Sequence, residues 1–217
     1  VAVDDPALDH GALSGLAAEL HASDATLPAE WPAIFPVFRA WVARPDLRAT
    51  LRRYLEELTT DSAEALAARS RETTTHFAWC LRDRPGEPYS FWLHEYKPQR
   101  DWRQGYADSV HNHRYHFCTT LLRGEYVHER HLVAIDPASG LISSTTPERT
   151  SRCRAGDAGY LLATDFHRIP LATDGTLTFL VKSRPVATSS LSYDPNTGTS
   201  HLHVPVESRL SGLASSL

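Results

Sequence analysis

Ser109-Val110-His111-Asn112-His113-Arg114-Tyr115-His116-Phe117 is the stretch on which the reading of this chain turns. His111 and His113 are two apart, and side chains two apart on a strand point to one face. A barrel strand turns that face inward, where two imidazoles suit a borderline divalent metal: Fe(II), Ni(II), Cu(II) or Zn(II), with Mn as a further candidate. The pair alone is weak evidence, because the chain has 12 histidines and His201 and His203 form a second such pair. His116 has the opposite parity to His113, so it is expected to face away unless a bulge re-aims it. His128 and His131 also differ in parity, so at most one of them faces inward. His201 and His203, near the carboxyl end without a third partner, are expected on an exposed strand.

Short strands separated by turn residues surround this stretch. Residues 76–81, 90–96, 115–122 and 125–135 are rich in aromatic and branched side chains, and further strands are expected over 159–163, 176–183 and 201–206. Arg84-Pro85-Gly86-Glu87-Pro88 and Asp136-Pro137-Ala138-Ser139-Gly140 are turn chemistry and predict antiparallel hairpins. No long helical period interrupts the strands, which excludes crossover helices and predicts a sandwich or barrel.

The first third has a different period. Leu13, Leu16, Ala17 and Leu20 recur at spacings of three and four. Pro28, Pro32 and Pro36 punctuate the next segment, yet Trp31, Ile34, Phe35, Phe38, Trp41 and Val42 follow a helical stripe that is expected to cover one barrel face. Pro45 and Asp46 predict a helix start, with Leu47, Leu51, Tyr54, Leu55 and Leu58 along one side. Asp61 and Glu64 have capping-box spacing for a last helix ending near Arg71. The expected organisation is one domain over 1–217: a helical lead-in over 1–72, a barrel over 73–206 and a tail over 207–217.

Composition narrows the partners. The chain has 217 residues, 41% hydrophobic and 22% charged, ordinary values for a globular protein rather than a disordered or coiled-coil one. A net charge of −4 gives no electrostatic case for nucleic acid. Apolar runs such as Leu132-Val133-Ala134-Ile135 are too short to cross a bilayer, and Val1-Ala2-Val3-Asp4-Asp5-Pro6 carries acid where a signal peptide carries base. With no Met anywhere, the initiator is expected to have been removed, and a cytoplasmic location is expected. Cys80, Cys118 and Cys153 are odd in number and scattered, so they make neither a disulfide framework nor a cysteine zinc site.

Gly124 follows His113 by eleven residues, and Gly156-Asp157-Ala158-Gly159-Tyr160 with His167 comes later. This arrangement resembles the cupin superfamily, whose barrels carry a His-x-His, Glu, Gly motif and a second, glycine-led motif ending in His. Phe117 occupies the Glu position, so the resemblance implies three ligands, His111, His113 and His167, and no carboxylate. Helices followed by such a barrel, with a three-histidine ferrous site, resemble the cysteine dioxygenase family. That resemblance implies a role beside the metal for Cys118 and a carboxylate-binding role for Arg82, and it aligns Arg168 with an arginine after the third ligand. Two departures stand out. The spacing from His113 to His116 and Gly124 is one residue shorter than in that family, and no tyrosine or partner histidine falls near Lys182 to Arg184.

Three neutral imidazoles leave open coordination positions that a bidentate anion and O2 can share, without 2-oxoglutarate. Arg82 and Arg168 are candidates for a substrate carboxylate, since a guanidinium fork fits it with two parallel bonds. Tyr115, Phe117 and Tyr160 are candidate pocket walls, and a phenol there has a candidate catalytic role in orienting bound oxygen. The expected function is an Fe(II)-dependent oxygenase acting on a small carboxylate-bearing metabolite such as an amino acid or thiol acid. The alternatives are a lyase or isomerase using the same metal without O2, and a metal-dependent ligand-binding module without turnover. Small-molecule substrate and O2 are the expected partners, and exposed barrel edges make a homodimer reasonable.

Overall fold

Strand alternation governs the architecture, which is described for residues 11–22, 31–205 and 212–213 by a computed structural model. The expectations for Val1 to Pro6, for Pro28, for Val206 and for most of the tail lie outside these residues. The lead-in folds as four helices: α1 (Ala12–Ala22), α2 (Trp31–Val42), α3 (Leu47–Glu56) and α4 (Thr60–Arg69). The strands that follow are β1 (Arg71–Glu72), β2 (His76–Asp83), β3 (Tyr89–Tyr96), β4 (Val110–His111), β5 (Phe117–Arg123) and β6 (Glu125–Ile135). They continue with β7 (Ile142–Arg154), β8 (Ala158–Leu161), β9 (Phe166–Ala172), β10 (Leu177–Ser183), β11 (Ser190–Asp194) and β12 (Thr199–His203).

Among the described residues the strands form two six-stranded antiparallel sheets, in the orders β1-β2-β3-β10-β5-β8 and β12-β11-β4-β9-β6-β7. Neither closes on itself. With the helices confined to the front of the chain, this is a mainly β, jelly-roll-like fold, in which strands distant in sequence are neighbours in each sheet. No helix among the described residues is long and apolar enough to cross a membrane.

The first sheet is apolar on both faces, and parity explains how. On β10, Phe179 and Val181 turn outward into a core shared with the helices, while Thr178 and Leu180 turn inward. On β3, Phe91 and Leu93 join the helical core and Trp92 packs inside. Helix α2 covers this outer face with Trp31, Ile34, Phe38 and Trp41, all buried. Phe38 and Phe91 both lie parallel to the Phe179 ring, with centroids 6.2 and 6.4 Å away. Each such side chain contributes about 1.5–3 kcal/mol on burial. That is enough for α2 to form in spite of Pro36, which removes a helical hydrogen bond in its interior.

Local details depart from expectation where hydrogen bonding overrides spacing. Helix α4 is capped by Thr59, whose Oγ1 accepts from the Ser62 amide at 3.2 Å, and not by an Asp61–Glu64 box. On α3, Leu47 and Leu51 are buried but Leu55 is exposed, so the stripe is narrower than its apolar residues suggest. The long strand β7 is mostly polar and exposed, and its register with β6 is what makes it a strand. Gly124 takes a φ of +80° in the tight turn from β5 to β6, and a Cβ there would lie 2.3 Å from Thr176 Oγ1. Its place in the sequence motif therefore has a steric cause.

Candidate metal centre

Sheet pairing brings the three histidines together. His111 on β4 lies directly opposite His167 on β9. His113 follows two residues later, beyond the end of β4. The expectation that both members of the pair share one regular strand is corrected here: β4 stops at His111. Asn112 holds the departing segment instead. Its Nδ2 donates to the Ala163 carbonyl at 2.9 Å, its Oδ1 accepts from the Leu191 amide at 2.7 Å, and its own amide donates to the Leu191 carbonyl at 3.2 Å. The residue between the histidines was not singled out from the sequence; its amide side chain, flanked by two ligand candidates, was the available signal.

The ligand nitrogens of His111, His113 and His167 lie within 4.8 Å of one another. His113 Nε2 and His167 Nε2 are 2.9 Å apart. Two nitrogens bound cis at metal–nitrogen distances of about 2.1 Å are separated by roughly 3 Å, so the pair is spaced as neighbouring ligands of one ion. His111 Nδ1 donates to the Ser109 carbonyl at 2.8 Å, which leaves its Nε2 lone pair for a metal. His167 Nδ1 is 3.1 Å from His128 Nε2, which plays the same orienting role from β6. Burial keeps these rings neutral, the form a metal requires. It holds His111 and His128 down at about 4, and drives His113 and His167 well below the usual histidine value. The donor set of the three-histidine cluster therefore fits a divalent transition metal.

The cluster opens on a cavity of about 790 Å³ between the sheets. Tyr115 and Phe117 line it as expected: the Tyr115 ring stacks on His113 at 5.1 Å, and Phe117 meets His113 edge-on at 5.1 Å. His116 faces elsewhere, its Nδ1 accepting from the Ala163 amide at 2.8 Å with its ring against Trp31. Of the next pair, His128 is the inward one, while His131 bonds Glu129 at 3.2 Å.

Four expected site residues stand outside the cavity. Arg82 forks onto Glu87, at 3.0 Å through Nε and 2.5 Å through Nη2, and reaches Ser14 on α1. Arg168 alternates with His167 on β9, so it points outward and pairs with Glu129 at 2.6 Å. Cys118 alternates with Phe117 on β5 and is buried in the core under the helices, where burial drives its thiol pKa up and holds it as an inert hydrophobe. Tyr160 lies on the outer face against Phe35, ring centroids 5.3 Å apart. His203 corrects the expectation in the other direction: it lines the cavity, accepts or donates at Ser192 Oγ over 2.7 Å, and meets the Tyr106 ring edge-on.

The guanidiniums that do reach the cavity are others. Arg71 on β1 and Arg114 both line it, and neither has a carboxylate within ion-pair reach among the described residues. Arg71 lies over the Trp92 ring at 5.5 Å, and its charge acts on the Tyr115 hydroxyl. Both were passed over in the sequence, where an arginine beside a two-residue strand or within a loop carries no mark of its partner.

No family model matches the chain, and no curated protein does. Solved structures of similar strand arrangement include an oxalate decarboxylase of Lactobacillus farciminis in a formate complex, 22% identical over 60% of this chain and 34% of that one, with a TM-score of 0.39. A variant of the Bacillus subtilis oxalate decarboxylase is 18% identical over 53% and 27%, at 0.36. The hazelnut (Corylus avellana) vicilin is 12% identical over 52% and 30%, at 0.37. The match takes in about a third or less of those chains' length, and a likeness of this size carries no chemistry across.

Proposed function

We propose that this protein is a mononuclear non-heme Fe(II) oxygenase, independent of 2-oxoglutarate, that acts on a small carboxylate-bearing metabolite. One observation supports this above the others: three neutral imidazoles, two with facing nitrogens 2.9 Å apart, converge on a cavity that also carries two guanidiniums without acidic partners among the described residues. A ferrous ion held by His111, His113 and His167 supplies O2 activation when bound. The order of elements, helices and then a three-histidine barrel, resembles the cysteine dioxygenase layout and agrees with this reading.

The chain's own residues then have definite tasks. Arg71 takes the substrate carboxylate as a fork, in the place that Arg82 and Arg168 leave because each is already neutralised by a glutamate. The Tyr115 ring, stacked on His113 and lying within the field of the Arg71 guanidinium, ties the substrate end of the cavity to the ligand cluster. Phe117 and Leu161 exclude water beside the ligand nitrogens, so polar contacts made there are stronger than in solvent. His128 and the Ser109 carbonyl hold the tautomers of two ligands.

The test is anaerobic reconstitution with Fe(II), elemental analysis of the bound metal, and an oxygen-uptake screen of small amino and thiol acids. About one iron per chain, lost in His167→Ala, together with oxygen uptake on one of these acids, is the expected result. Substrate turnover without oxygen consumption would move the site to Lewis-acid lyase or isomerase chemistry. Failure to retain iron, or equal retention without His167, would overturn the metal centre itself.

A further inference from the structure

The chain has two lysines, and they live in opposite surroundings. Lys97 Nζ is 2.5 Å from Glu72 Oε1 and 2.6 Å from the Thr73 carbonyl, an ordinary ion-paired ammonium. Lys182, on β10, is 3% exposed and has no carboxylate within ion-pair reach among the described residues. It shares the inward parity of Thr178 and Leu180. Its Nζ sits 4.1 Å from the Trp92 ring centroid, 5.1 Å from that of Tyr115 and 3.4 Å from His94 Nε2. The cation placed over the same Trp92 ring is Arg71.

Such surroundings favour a free amine over an ammonium. Burial is the largest influence and the Arg71 charge adds to it, so the Lys182 pKa falls well below the usual lysine value. Desolvation and a neighbouring cation are the two means by which a lysine becomes a nucleophile toward carbonyl compounds. Reach is the remaining requirement. His94, Leu180 and Tyr115 all line the cavity, so the amine lies directly behind its wall, and access to it requires the Tyr115 ring, 5.1 Å from Nζ, to turn aside.

We propose that Lys182 is a nucleophilic amine that condenses with a small 2-oxo acid in the barrel cavity, the acid's carboxylate lying on Arg71. The nitrogen lone pair attacks the carbonyl carbon, and the carbonyl π pair moves to oxygen, which takes up the first of the two protons that the nitrogen sheds. The carbinolamine then loses its hydroxyl group with one proton as water, while the nitrogen gives up its own proton and the C=N bond forms. Amine and carbonyl become imine and water, with no oxidant or reductant consumed. His94 Nε2, facing Nζ, is the group placed to accept the nitrogen's proton and return it to the departing hydroxyl. The site shares Arg71 and Tyr115 with the proposed substrate end of the metal centre, but the condensation itself does not depend on a metal being bound.

The test uses the metal-free full-length chain with glyoxylate and cyanoborohydride, which reduces any imine to a stable N-carboxymethyl lysine, followed by peptide mass mapping. Lys182 is expected to be modified at least about tenfold faster than Lys97, with a rate that saturates in glyoxylate. Lys97→Arg keeps the modification and Lys182→Arg abolishes it. Tyr115→Ala, which removes the covering ring, is expected to accelerate it several-fold. Acetaldehyde, a carbonyl compound without a carboxylate, is expected to react more slowly, and equal rates would overturn the role given to Arg71. Comparable modification of the two lysines, or none at Lys182 in both the parent chain and Tyr115→Ala, would overturn the proposal. Metal retention by the histidine cluster is measured separately, so the two readings fail independently.

Discussion

His111–His113 and His201–His203 are the same motif in two places, and their surroundings make them different objects. The first pair is enclosed between the sheets, and β4 lies between β11 and β9, so a third histidine arrives from β9 directly opposite His111. The second lies on β12, the edge of the same sheet, where a partner strand exists on one side only. There His201 stays exposed, while His203 turns to the cavity and bonds Ser192. A pair of imidazoles becomes a ligand set when neighbouring strands on both sides deliver a third ligand and the partners that orient it. Spacing along one strand supplies neither.

The sharpest way to break this comparison is to remove the third histidine. His167→Ala is expected to lower metal affinity by more than about 100-fold, because losing even an outer partner of a ligand can cost that much. His203→Ala is expected to leave it unchanged; elemental analysis after dialysis against a weak chelator distinguishes them. His128→Leu comes next, with an expected loss of about 10–100-fold, since His167 then has no ring nitrogen to fix its tautomer. If His128→Leu binds metal as well as the parent does, the orienting contact is incidental.

Asn112 sharpens the comparison in a different way, since it has no counterpart between His201 and His203, where Leu202 is exposed. Asn112→Ala strands the Leu191 amide and the Ala163 carbonyl and should cost about 1–3 kcal/mol in denaturant unfolding. Metal affinity should fall with it, because His113 loses its tether.

Acid should discriminate the regions next. His111 and His128 are neutral in the fold with values of about 4, against an ordinary 6.5. Between those values the unfolded chain binds more protons than the folded one. Stability of the metal-free protein is therefore full above pH 6.5 and falls as the pH drops toward 4, by up to about 1.4 kcal/mol per pH unit for each group. Below 4 these two groups add nothing further. A urea midpoint that stays flat from pH 7 to 4 would show the cluster to be hydrated. The smallest effect belongs to the exposed member of the second pair: His201→Ala should change stability by no more than about 0.5 kcal/mol.

Much of the fold was legible because periodicity is a local property. The stripe of Trp31, Ile34, Phe38 and Trp41 marked a helix with one buried face, and the helix lies on the barrel as that stripe requires. The strands expected over 76–81, 90–96, 125–135 and 176–183 were visible as apolar runs between turns, and form over 76–83, 89–96, 125–135 and 177–183. Strand β7 was not, because its exposed polar residues carry no hydrophobic alternation and only pairing with β6 organises them. Within the site, His111, His113 and His167 were legible from residue type and motif spacing, and Tyr115 and Phe117 from their proximity to them.

Sequence by itself determined which residues alternate in and out along each strand, and that three histidines and no carboxylate occupy the motif positions. Tertiary structure alone decided which side of each sheet became the interior and which charges met. Arg82 and Arg168 were the candidates until Glu87 and Glu129 neutralised them, while Arg71, passed over in the sequence, meets no acid among the described residues. Cys118, assigned to the site by family resemblance, and Tyr160, assigned as a pocket wall, are removed from it by parity, since each faces away from the cavity that its neighbours line. The reason is physical: alternation is written in consecutive residues, but the partner of a charge and the burial of a face depend on strands brought together from distant parts of the chain.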